Sequence, residues 1–134
     1  MKFRGFFGAI IFLFLLTSTA SGTEWEFVGK STVGISYYVD VSTIRNNYGI
    51  ISAWIKEHYE NPRQTDSGKV TEAMYERETT IKSGSWHIGT GARYSESGDE
   101  IEKMTDFSSK PSTPGTIEET ITSFLVDWCK RNRK

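Results

Sequence analysis

The chain of 134 residues sets 16 Lys and Arg against 17 Asp and Glu, a net charge of −1, and holds two histidines and one cysteine. So even a balance gives the chain as a whole no electrostatic footprint for nucleic acid or an anionic lipid surface. A single thiol cannot close a loop within its own chain, so stability has to come from a packed core, for which Trp25, Trp54, Trp86 and Trp128 supply apolar area.

The first residues fall into three parts. Met1-Lys2-Phe3-Arg4 is positively charged, an apolar run of about 11 residues ends at Leu16, and Thr17 to Gly22 is small and polar. A membrane-spanning helix needs roughly 18 to 20 apolar residues. The pattern predicts a secretory signal peptide over residues 1–22, cut after Ala20 or Gly22. The product is an exported chain, in the periplasm or on the outer cell surface, with no membrane span after cleavage. Loss of Lys2 and Arg4 leaves 14 cationic against 17 anionic side chains. Residues 23–134 are enough for one domain and too few for two.

Glu24 to Val28 alternates polar and apolar residues, as a half-buried strand does. A turn over Gly29 to Gly34 leads to a strand that sets Ile35, Tyr37, Val39 and Val41 on one face. Asn46-Asn47-Tyr48-Gly49 is turn chemistry. The next strand, Ile50 to Tyr59, puts Ile51, Ala53 and Ile55 against Ser52, Trp54, Lys56 and His58. Asn61 to Gly68, with Pro62, Asp66 and Ser67, reads as a mobile loop. Glu72 to Lys82 is a strand, Trp86 to Ser95 another, and Ser97-Gly98-Asp99 a hairpin turn into Glu100 to Met104.

The period then changes. After a Ser/Thr/Pro-rich connector over 108–116, apolar residues recur at Ile117, Ile121, Phe124, Leu125 and Trp128, the spacing of an amphipathic helix. Thr116 with Glu119 forms a capping-box pattern. One helix cannot bury its stripe alone. The fold class expected is α+β: a five- or six-stranded antiparallel sheet with one C-terminal helix packed on one face.

Trp25 to Gly29, Tyr37-Tyr38-Val39-Asp40 before Ser42-Thr43-Ile44, Trp54 ahead of Tyr59, the Tyr94 to Gly98 hairpin and Pro114-Gly115-Thr116 before a helix ending near Cys129 occur here in one order. In that order the chain resembles the surface-adhesin protein E family of exported bacterial proteins, over nearly all of residues 23–134. The resemblance implies a twisted antiparallel sheet with a helix packed on it. It also implies an adhesin-like role, with host matrix or serum proteins as partners. A second cysteine in the central strand, implied as well, has no counterpart around residues 78–83, so Cys129 stands alone; it reads as a small core hydrophobe or an intermolecular partner.

Catalytic patterns are few. His58 and His87 share no zinc-type spacing with each other or with Cys129, and no nucleophile elbow, phosphate loop or dinucleotide fingerprint is present. Asp40 and Glu57 would form an acid pair only through a tertiary contact. The expectation is a protein that is not an enzyme and takes no cofactor or metal. The candidate binding residues are Trp54, Lys56 and His58, which share a strand face, and Arg63 and Lys69, at the margins of the 61–68 segment. Unpaired sheet edges suggest a homodimer. The alternative function is a periplasmic carrier of a small ligand, or a hydrolase inhibitor; an apolar cavity between sheet and helix is the mark of the carrier.

Overall fold

Alternation of apolar and polar residues is carried through six strands: β1 (Trp25–Lys30), β2 (Ile35–Asn47), β3 (Ile50–Thr65), β4 (Gly68–Thr80), β5 (Trp86–Tyr94) and β6 (Glu100–Lys110), followed by helix α1 (Ile117–Arg131). The computed structural model describes residues 23–132, so the expected signal peptide lies outside the described residues. Each strand pairs antiparallel with the next, giving one sheet in the order β1-β2-β3-β4-β5-β6. The expected class and element order are therefore present.

Because side chains alternate across a strand, the register defines two faces. Val39, Ile55 and Tyr75 lie in one cross-strand row and are buried, as are Ile51, Ala53, Trp86 and Ile88 on the same side. Helix α1 covers this side with Ile121 and Leu125, both fully buried, while Ile117 and Phe124 pack at the margin. Burying Ile121 and Leu125 contributes about 1.5–3 kcal/mol each. Trp128 stays half-buried and stacks on Phe124 at 6.3 Å.

A polar clamp ties helix to sheet. The Arg77 side chain is fully buried and donates to Glu118 Oε1 at 2.8 Å, to Thr122 Oγ1 at 2.6 Å and to Thr79 Oγ1 at 3.0 Å. Its guanidinium lies 4.4 Å from the Trp86 ring centroid. Thr122 in turn meets Ser112 at 2.6 Å, and Ser112 donates to the Gly84 carbonyl. Burial outweighs pairing for both charges: it lowers the Arg77 pKa and holds the Glu118 carboxyl above its usual range. The tie joins helix and sheet without a disulfide; Cys129 is free and half-buried against the core.

Five expectations need correction. Residues 61–68 are not a loop: β3 runs on to Thr65, and only Asp66 and Ser67 separate it from β4. The register shifts between His58 and Arg63, and this bulge accommodates Pro62, which has no N–H for the ladder. In β2 the inward alternation stops at Val39. Residues 41–44 form a bulge in which Ile44, not Val41, packs on the core. In β1 the register sets Phe27 opposite the outward-facing Tyr38 and 56% exposed, and a shift after it turns Val28 inward. The capping box does not close either. Thr116 Oγ1 donates to the Thr113 carbonyl, and Glu119 accepts the N–H of Gly115 instead of that of Thr116. The connector before the helix is also shorter than expected, because β6 extends to Lys110.

Candidate functional site

The sheet face turned away from α1 is where the candidate residues gather. Trp54, Lys56 and His58 project there from β3, and β2 presents Asp40, Tyr38 and Ser36 directly opposite them. On the other side stand Glu76, Met74 and Glu72 of β4. The β1 bulge places Trp25 and Phe27 in register with Asp40 and Tyr38.

The resulting cluster is aromatic around one cation. Lys56 Nζ lies 4.8 Å from the Trp25 ring centroid and 5.0 Å from that of Tyr38. Phe27 meets Tyr38 edge-on at 5.5 Å. Such cation–ring contacts contribute roughly 0.5–1 kcal/mol each at partly exposed sites, enough to hold the long Lys56 side chain in one place. Trp54 is positioned by the β2 bulge: its backbone N–H donates to Thr43 Oγ1 at 3.0 Å, and Thr43 Oγ1 donates to the Asp40 carbonyl at 2.7 Å. The buried Asp40 carboxylate accepts from Glu24 N–H at 2.9 Å and from Ser42 N–H and Oγ at 3.1 and 2.6 Å. It is therefore a brace for the bulge.

Beyond Trp54 the face turns acidic. Glu72, Glu76 and Glu78 form a row along β4. His58 Nδ1 sits 3.3 Å from Glu72 Oε2, and His87 Nε2 3.3 Å from Glu78 Oε1. These pairs are largely exposed and hold the fold only weakly. The His87 ring faces Phe107 at 5.8 Å, and Phe107 is 70% exposed.

Arg63 and Lys69 are not part of this cluster. They sit in the β3–β4 hairpin arm, where Arg63 lies over the Tyr59 ring at 4.8 Å. Lys69 borders an open cleft of about 430 Å³ with Thr71 and Ser95. His58 and Glu72 border another, of about 340 Å³. Asp40 and Glu57 face opposite sides of the sheet, so they form no acid pair. Glu57 instead accepts hydrogen bonds from Tyr75 at 2.7 Å and Tyr59 at 2.9 Å. Burial, then the Glu57 charge, pushes the Tyr59 hydroxyl up to about 12 and raises Tyr75 and Tyr37 as well. Among the described residues no group of three or more His, Cys, Asp or Glu is placed to hold a metal ion. No helix among them is long and apolar enough to cross a membrane.

Trp25, Phe27 and Tyr38 were not among the candidate binding residues of the sequence. Their signal was available in the strand alternation: once Tyr37 and Val39 face inward, Tyr38 must face outward.

A filled core behind a broad face of half-exposed aromatics and charges is the construction of a binding module. The chain belongs to the surface-adhesin protein E family, whose model matches residues 25–130. Its fold is similar to that in the crystal structure of protein E from non-typeable Haemophilus influenzae, with a TM-score of 0.51, 11% sequence identity and 78% of each chain covered. No curated protein sequence matches the chain. By family, then, it is an adhesin-like binding protein.

Proposed function

We propose that the chain is an exported, non-catalytic binding module that recognises a protein partner through the open sheet face, with host matrix or serum proteins as the partner class. The observation that carries this reading is the packing of Lys56 over Trp25 and Tyr38, with Phe27 against Tyr38 and Trp54 on the same face, the one that α1 does not cover. Aromatic side chains with a fixed cation and a polar rim are the composition of protein-binding hot spots, because they offer large contact area at small entropic cost. Trp54, Lys56 and His58 would make the contact together with the three further aromatics.

Family membership supports export and an adhesin role, and leaves both the periplasm and the outer surface as destinations. The carrier alternative finds less support, since Tyr37, Tyr75, Ile121 and Leu125 occupy the space between sheet and helix where a small ligand would sit. The two candidate surfaces are separable by alanine substitution. Trp54→Ala and Lys56→Ala are expected to weaken capture of a matrix or serum partner, and Arg63→Ala and Lys69→Ala to leave it intact. The opposite pattern would move the site to the hairpin arm.

A further inference from the structure

At one end of the sheet two turns lie side by side. Tyr48 and Gly49 close the β2–β3 hairpin with φ of 52° and 90°, the geometry of a two-residue type I′ turn. Ile81 leaves β4 and donates its N–H to the Gly49 carbonyl at 2.9 Å, while Thr80 N–H bonds to the Ser85 carbonyl at 2.8 Å. The pair of turns is one stitched platform, ordered before anything binds to it. Tyr48 is fully exposed on it, Ile50 is 44% exposed and Ile81 36%. Arg45 and Lys82, both exposed, stand at its margins.

Local physics would not choose a tyrosine here. A positive φ brings Cβ against the backbone of any L residue, and Asn, Asp or Gly take this turn position at least cost. Asn46 and Asn47 come immediately before, yet neither occupies it. The Tyr48 ring buries nothing in return. A bulky aromatic kept in a disfavoured conformation and wholly outside the core points to a contact beyond the chain.

Charge indicates the kind of contact. Residues 41–56 and 79–95 contain no Asp or Glu. The first carboxylate down β4 from this end, Glu78, is engaged by His87. At the opposite end, Glu60, Asp66, Glu96, Asp99 and Glu100 cluster around the β3–β4 and β5–β6 turns. The nearly neutral total therefore hides a segregation along the strands. An exposed Tyr beside aliphatic side chains, flanked by cations and free of carboxylates, matches the boundary of a bilayer. There the amphipathic ring sits among headgroups, aliphatic carbons enter the acyl border and cations meet phosphates. We propose that the Tyr48–Ile50–Ile81 tip is a docking point for an anionic lipid surface, with Arg45 and Lys82 reading the headgroup phosphates. This contact is separate from the open sheet face and does not depend on it.

The test is cosedimentation of the purified domain, residues 23–134, with phosphatidylcholine vesicles containing phosphatidylglycerol, beside vesicles of phosphatidylcholine alone. Binding is expected to the anionic vesicles, and Arg45→Ala combined with Lys82→Ala is expected to weaken it by roughly 30-fold. Tyr48→Asn creates a favoured Asn-Gly turn, so it is expected to raise the melting temperature and yet weaken vesicle binding about tenfold. That opposition of stability and binding separates a contact residue from a folding residue. Absence of binding to anionic vesicles, or binding unchanged in Tyr48→Asn, overturns the proposal. So does a protein partner that is lost with Tyr48→Asn while vesicles are ignored.

Discussion

Replacing Arg77 tests how the helix is held. Its side chain is fully buried, while that of Glu118 is 25% exposed. Arg77→Ala removes the ion pair, the hydrogen bonds to Thr122 and Thr79, and the stacking on Trp86. Breaking a buried pair costs roughly 3–5 kcal/mol. Glu118 can turn toward water once released, so the loss should lie at the low end, about 3 kcal/mol. Out of a total of about 5–15 kcal/mol that is a large share. It corresponds to a fall in melting temperature of roughly 10–15 °C for a domain of this size. The partners should also behave unequally. Arg77→Met fills the volume with apolar atoms and removes the buried charge, so it should cost less than Arg77→Ala. Glu118→Ala leaves the charge of Arg77 buried and unpaired, so it should cost as much as Arg77→Ala or more. Urea unfolding followed by tryptophan fluorescence and by circular dichroism gives all three values. A loss under about 1 kcal/mol for Arg77→Ala, or a Glu118→Ala variant as stable as the parent, would refute the clamp.

Three further outcomes follow from the same structure. The raised hydroxyls of Tyr59, Tyr75 and Tyr37 contribute stability that is fully present below pH 10 and is lost as pH rises through their folded values, about 12 for Tyr59. Chemical unfolding across that window should show stability falling by up to about 1.4 kcal/mol per pH unit per tyrosine, less so in Tyr59→Phe. A flat profile would contradict the buried phenol cluster. Gly91 faces Tyr75 so closely that an added Cβ would collide with the Met74 carbonyl and lie 2.7 Å from Tyr75 Cα. Gly91→Ala should therefore cost at least about 3 kcal/mol or fail to fold, as read by thermal melting. Burial raises the Cys129 thiol, so it should react with a thiol-specific reagent more slowly in the native protein than in urea. Equal rates would place it on the open surface.

Strand alternation and the helical spacing of Ile117, Ile121 and Leu125 made most of the fold legible, because one face of each element had to be buried. The same alternation placed Trp54, Lys56 and His58 on a common face. What it missed were the bulges. Each inserts residues that shift every later side chain to the other face, and nothing in the period announces one. Thus Val41 gave way to Ile44, and Val28 turned inward. Pro62 and the Asp66-Ser67 pair suggested a loop, yet a bulge absorbed the proline and left the turn only two residues. Arg77 was the harder omission. A charged residue at an inward position looks like a break in the pattern until Glu118 and Thr122, more than 40 residues away in sequence, are brought to meet it.

The open sheet face is proposed as the protein-binding surface. Its most direct test is a titration of the purified domain against immobilised matrix and serum proteins, with Trp54→Ala and Lys56→Ala run beside the parent at matched folding. Saturable binding is expected, weakened by these substitutions by tenfold or more, on the scale of about 1.4 kcal/mol each, with the fold intact. Saturable binding that survives both substitutions, or none to any protein of these classes, would contradict it.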